Sequence, residues 1–225
     1  MVDQTQDAVA RLRLLDSCAV SDALDSLNLP AAVTGIQRLA TDKAIAGRVM
    51  TVKLGTEKRD DGPPRHLGTA AVEAAEPGDI LVIEQLTGIN AAGWGGVLSN
   101  AAQVKGIAGI IVEGPARDIE ESRELGFPVF ARSATARTAR GRIFEVDFNG
   151  DITVGDVTVA PGDLVIADAS AVVFVPAARA DEVLAAAERI TEKERLMTVA
   201  VRRGDPVSQV MGADYERMLN QADKA

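Results

Sequence analysis

The chain has 225 residues, 47% hydrophobic but only 3% aromatic, and 24 basic against 33 acidic side chains leave it at −9. That balance excludes intrinsic disorder and argues against a nucleic-acid groove, which needs clustered cations. One Cys and one His exclude an intrachain disulfide, a zinc cluster and any two-histidine mechanism, and no apolar run approaches the roughly 18 residues of a membrane helix.

The N-terminus does not read as a signal peptide, so a cytoplasmic protein is expected, with no membrane partner. Residues 8–15 place Val9, Leu12 and Leu15 on one helical face, with Asp7 positioned as the cap. A second helix is predicted over 21–27, stopping before Pro30. Residues 45–54 alternate at Met50, Val52 and Leu54 and predict a strand. The polar, proline-rich stretch 58–64 is a loop, followed by a helix at 67–75, a Pro77-Gly78-Asp79 turn and a buried strand at 80–83.

A glycine-containing loop then leads to a helix at 97–105 closed by Gly106. Apolar runs at 107–112 and 127–130 flank a helix at Ile119–Leu125. This alternation, with continuous apolar strands, predicts an α/β fold whose sheet is buried on both faces. From Arg142 onward the texture is β-rich: short strands at 143–146, Ile152–Val154, Val157–Val159, Leu164–Ala167 and Val172–Val175, separated by tight turns. A long helix at 180–201 carries Val183, Ala187 and Ile190 at helical spacing, and 204–225 predicts a shorter helix or an arm reaching a neighbour. No linker divides the chain, so one domain over 1–225 is expected.

Two stretches carry chemistry. Gly93-Trp94-Gly95-Gly96-Val97-Leu98 opens a helix, where unpaired N–H groups and the helix dipole favour an anion. The same glycines also suit a tight turn against Trp94. Glu113-Gly114-Pro115-Ala116-Arg117-Asp118 follows an apolar strand, where ligand groups gather in α/β sheets. Arg117 offers a planar fork for a carboxylate, and an extended backbone would keep Asp118 from pairing with it, leaving Asp118 for a hard cation. The alternative is a surface pair capping the helix at Ile119–Leu125. Together the two stretches form one βαβ-like unit facing one crevice, a receptor for a 2-oxo acid. Cys18 reads as a core residue, His66 as a capping or exposed one, and Trp94 as packing behind the glycine loop.

The segments Ala92–Leu98, Gly109–Gly114, Arg117-Asp118 and Gly126-Phe127-Pro128-Val129-Phe130 resemble the RraA-like family, which includes 4-hydroxy-4-methyl-2-oxoglutarate (4-carboxy-4-hydroxy-2-oxoadipate) aldolase. Val20–Leu24, Ile45–Arg48, Pro77–Asp79 and Pro161–Asp163 fit as well, so the resemblance spans about 16–204, with 205–225 as a C-terminal arm. It implies a swivelling β/β/α domain with a C-terminal helix, assembled as a homotrimer or homohexamer with sites between subunits. It implies a lyase using Mg²⁺, Mn²⁺ or another divalent cation to release pyruvate from a 4-hydroxy-2-oxo acid, with oxaloacetate decarboxylation alongside. By position, the Gly95, Gly96, Val97 and Leu98 backbone and Arg117 would bind substrate, and Asp118 would hold the metal.

The sequence departs from the family in two places. Aldolases carry an acid twenty-one positions before the arginine, where this chain has Gly96. Glu113 is a possible substitute, or else a strand-end surface carboxylate. Glu192 and Glu194 match the acidic residue that relatives draw from a neighbouring subunit, or are ordinary solvated helix residues. Asp168-Ala169 replaces the usual Asp-Gly pair, which leaves that turn's shape open. The alternatives are a non-catalytic, ribonuclease-inhibitor type of binding protein, or a related lyase or hydratase on another small hydroxy acid. The family's old methyltransferase label finds no nucleotide-binding glycine fingerprint near the N-terminus.

Overall fold

A computed structural model describes residues 4–30, 32–58 and 66–212. In chain order the elements are α1 (Gln4–Leu12), α2 (Ser17–Ser26), β1 (Gln37–Arg38), β2 (Ile45–Gly55), α3 (Thr69–Ala74), β3 (Ile80–Glu84), α4 (Gly96–Lys105), β4 (Gly109–Ala116), α5 (Ile119–Leu125) and β5 (Val129–Ala134). The β-rich part follows as β6 (Phe144–Phe148), β7 (Ile152–Val154), β8 (Val157–Val159), β9 (Leu164–Ala167) and β10 (Val172–Val175). The long α6 (Ala180–Arg202) and the short α7 (Val207–Val210) end the described chain.

The strands form a sheet in the order β1-β5-β4-β3-β2-β9-β10, with β6 also on β2. Strand β2 joins its two halves. Residues 45–48 pair antiparallel with β9, and residues 49–53 pair parallel with β3. The central strands β2 to β5 are parallel, and the apolar stretches of β3 and β4 are buried on both faces, as their unbroken sequence predicts. Leu81, Ile83, Ile110 and Val112 face Trp94 and Leu98 on the α4–α5 side. Ile80, Val82 and Ile111 face the β7–β8 hairpin on the other. A third cluster packs α1, α2 and α6 against β9 and β10.

Three expectations change. Helix α1 covers Gln4–Leu12, so Asp7 lies in its first turn and does not cap it. Helix α2 starts at Ser17 because Asp16 caps it, accepting from the Ala19 N–H at 2.8 Å. Cys18 is exposed, since the buried stripe of α2 is Ala19, Val20, Ala23 and Leu24. The Asp168 turn closes without glycine: its carboxylate accepts from Ser17 N, Ser17 Oγ and Ser170 N at 2.9, 2.7 and 2.8 Å. Of the expected C-terminal arm, residues 213–225 lie outside the described residues. Among the described residues no helix is long and apolar enough to cross a membrane.

Candidate active site

The site forms because the loop after β3 is zipped along the end of β4. Gly93 N donates to Pro115 O at 2.9 Å, Trp94 bridges Ala116 in parallel, and Arg117 N donates to Trp94 O at 3.0 Å. Trp94 anchors this seam from beneath. It is 1% exposed, stacks on Phe127 and donates its indole N–H to Ser99 Oγ at 2.9 Å. The start of α4 and the Arg117–Asp118 pair are thereby held side by side.

Helix α4 has no side-chain cap of its own, and Gly95 enters it with extended backbone. Its first-turn N–H groups therefore need partners from elsewhere. Asp118 takes one of them: its Oδ2 accepts from Gly96 N at 2.9 Å. Asp118 adopts the left-handed conformation (φ 57°, ψ 42°), which is uncommon outside glycine, and does not cap α5 with its side chain. The segment is therefore not extended, and the pair of the alternative reading forms, without capping α5 through its side chain. The left-handed turn folds the two neighbours together, so Arg117 Nε does pair with Asp118 Oδ1, at 3.1 Å.

Burial pushes the Asp118 carboxyl up, but the Gly96 N–H and the Arg117 guanidinium outweigh it and hold the group below the ordinary aspartate range. Gly95 makes the close approach possible, since a Cβ there would stand 2.9 Å from Asp118 Oδ2 and 3.1 Å from Arg117 Cγ. The N–H groups of Val97 and Leu98 remain at the helix start, with the Val97 side chain 84% exposed and Leu98 buried.

One acid was not singled out from the sequence. Glu121, in the first turn of α5, lays its carboxylate against Gly96: a Cβ on Gly96 would overlap Glu121 Oε2. Asn100 holds this arrangement, donating from Nδ2 to Gly96 O at 2.9 Å and to Glu121 Oε1 at 2.8 Å. No local sequence signal marks it, because its place beside Gly96 depends on how α5 stands against α4. The Asp118 carboxylate suits a hard cation, which commonly takes one or two carboxylates and completes its shell with water and substrate oxygens. Among the described residues, no group of three or more His, Cys, Asp or Glu gathers as a fuller cage.

The other acids singled out from the sequence lie elsewhere in the chain. Glu113 is buried on the hairpin-covered face of β4, where Arg132 grips it at 2.7 and 2.8 Å and Gly155 N donates at 2.9 Å. It is neither a surface carboxylate nor close to Gly96. Glu192 is exposed and paired with Arg195, and Glu194 is raised by desolvation and by the nearby Asp16 and Asp22 charges. Both sit on α6, which packs on α1 and α2. His66 is exposed, with Nδ1 3.0 Å from the Leu67 carbonyl.

The RraA-like (Aldolase/RraA) family model matches residues 17–174. The chain belongs to the RraA-like family. It is 28% identical over 210 residues to protein DlpA of Legionella pneumophila, covering 92% of this chain but only 34% of that longer protein. It is 32% identical over 188 residues to a Halalkalibacterium halodurans protein provisionally named 4-hydroxy-4-methyl-2-oxoglutarate aldolase, covering 81% of this chain and 83% of that one. Among solved structures, Streptomyces coelicolor RraAS2, described as an unusual member of the RNase ES inhibitor RraA family, superposes with a TM-score of 0.75. The match is 28% identical and covers 84% of this chain and 94% of that one. The α/β architecture with a C-terminal helix is that of this RraA-like family.

Proposed function

We propose that the chain is a divalent-cation-dependent carbon–carbon lyase that cleaves a 4-hydroxy-2-oxo acid and releases pyruvate, and that it also decarboxylates oxaloacetate. The observation that carries this reading is the convergence of Arg117, Asp118, Glu121 and the open start of α4 on Gly95–Gly96. The aldolase name of the Halalkalibacterium halodurans relative supports it.

Arg117 would bind the substrate carboxylate with its planar fork, together with the Val97 and Leu98 N–H groups. Asp118 would hold the cation, Mg²⁺ or Mn²⁺, with Glu121 beside it; when bound, the cation supplies Lewis acidity to the 2-oxo group. Cleavage also needs a base for the 4-hydroxyl proton. Asp118 is given to the cation in this reading, and Asn100 takes only Oε1 of Glu121. Glu121 Oε2 is therefore the assigned proton acceptor. The fixed N–H groups and guanidinium meet the negative charge that develops as the bond breaks.

A homotrimer or homohexamer, with Glu192 or Glu194 supplied across an interface, belongs to the same reading. Exposed Val97 and Val104 on α4 and Leu196 and Val199 on α6 support association. The test is pyruvate release from 4-hydroxy-4-methyl-2-oxoglutarate and from oxaloacetate, with Mg²⁺ and with chelator. Turnover that chelator abolishes is expected; turnover indifferent to chelator contradicts the cation requirement.

The likeness to RraAS2 and the glycine at 96 favour a second reading, a non-catalytic binding protein. It predicts no lyase turnover and a stoichiometric protein partner in a pull-down.

A further inference from the structure

Strand β3 ends at Glu84, and the buried Gln85 that follows it turns its side chain to the opposite face of the sheet. Glu84 faces the hairpin, pairing with Lys53 at 3.0 Å and accepting from Thr153 N at 2.6 Å. Gln85 faces the side of the candidate site and is only 4% exposed. Its Nε2 donates to Ile89 O at 3.2 Å and Ala91 O at 2.7 Å, gathering the loop that runs into Gly93–Gly96. Those two carbonyls fix the amide's orientation, because an oxygen in the place of Nε2 would face two acceptors.

Its Oε1 then points between two glycines and has no hydrogen-bond partner. A Cβ on Gly93 would stand 2.6 Å from Oε1, and one on Gly114 would stand 2.9 Å from Gln85 Cβ and 3.0 Å from Oε1. Gly93 precedes the α4 amides and Gly114 precedes Arg117 and Asp118, so one carboxamide touches both segments that build the site.

We infer that Gln85 is the positioning residue of this site: its carboxamide, wedged between Gly93 and Gly114, sets the separation of the α4 amides from Arg117 and Asp118. The inference rests on the lyase reading of that site. Gln85 touches no substrate; it acts through the two backbones it holds. Methionine matches its volume but cannot tether the loop carbonyls, and alanine at 93 pushes into Oε1 while leaving the tether's chemistry intact.

The test compares Gln85→Met and Gly93→Ala with Glu84→Gln, a buried change on the opposite face. Two quantities are read: kcat and KM for pyruvate release per folded enzyme, and hydrogen exchange across 86–98 and 114–119. Gln85→Met and Gly93→Ala are expected to lower kcat/KM about 10–100-fold, through both constants, as sub-ångström misplacement does. They are also expected to speed exchange in both segments. Glu84→Gln is expected to lower the melting temperature while keeping wild-type kcat/KM and exchange there. If Gln85→Met and Gly93→Ala behave like Glu84→Gln, the inference is overturned. A wild-type enzyme without turnover overturns the lyase reading instead; accelerated exchange in both segments then upholds the positioning role, and unchanged exchange rejects it. Should Gln85→Met fail to fold, Gly93→Ala carries the same comparison.

Discussion

The Glu121 carboxylate lies where a side chain on Gly96 would have to go, with Asn100 holding its other oxygen at 2.8 Å. The space a side chain at position 96 would take is therefore filled by an acid from α5. Under the proposed lyase reading, Glu121 would supply the carboxylate that Gly96 lacks.

Separating the two reactions tests that role. Retro-aldol cleavage must remove the 4-hydroxyl proton, whereas oxaloacetate has no such hydroxyl. Glu121→Gln should lower pyruvate release from 4-hydroxy-4-methyl-2-oxoglutarate by about 10²-fold, the usual contribution of a general base, and largely spare decarboxylation. Combining Gly96→Asp with Glu121→Ala should restore more cleavage than either change alone allows, because only the double variant has both room and acid. Steady-state assays on the two substrates check both outcomes.

Arg117 offers a planar fork that lysine cannot copy. Arg117→Lys should also lose the Nε contact that restrains Asp118 at 3.1 Å. The expected result is a kcat/KM about 10²-fold lower, dominated by KM, with the thermal midpoint little changed because the pair is partly open to water.

Glu113 and Arg132 should behave as structure and not as chemistry. Arg132→Met leaves a buried carboxylate with no cation, a loss of about 3 kcal/mol. Denaturant unfolding should show that loss, while kcat/KM per folded enzyme stays at the wild-type value. A matching loss of kcat/KM would place Glu113 in the site after all.

Asp168 links pH to stability. Burial pushes its carboxyl up, but the Ser17 and Ser170 N–H groups, the Ser17 hydroxyl and the Ala171 N–H outweigh that and hold it below the ordinary range. A folded value below the unfolded one means the stabilisation is complete above the unfolded value, near pH 4, and is lost as pH falls through the folded value. The melting temperature of wild type should exceed that of Asp168→Asn at neutral pH, and the gap should narrow below about pH 4. A gap constant with pH would contradict this.

The sequence made the layered α/β plan legible because its signals are local. Unbroken apolar strands, the helix closed by Gly106, and the turns around Pro77-Gly78-Asp79 and Asn149-Gly150 each depend on a few neighbouring residues. Arg117, Asp118 and the glycine loop were also legible as parts of one site. Glu121 was not, because its role depends on how α4 and α5 stand against each other across two crossovers. Whether Arg117 and Asp118 pair was left open by the sequence, because it turns on the left-handed backbone at Asp118, which an aspartate does not announce. Gln85 was missed for a similar reason: Gly114, on the next strand, meets it only in the folded seam.

The most direct test of the central claim is a crystal of the protein soaked with Mn²⁺ and oxalate, with anomalous scattering measured at the manganese edge. The account predicts one anomalous peak at the Asp118 carboxylate beside Glu121, with oxalate bridging it to Arg117 and the start of α4. A manganese peak elsewhere, or oxalate bound away from Arg117, would contradict it.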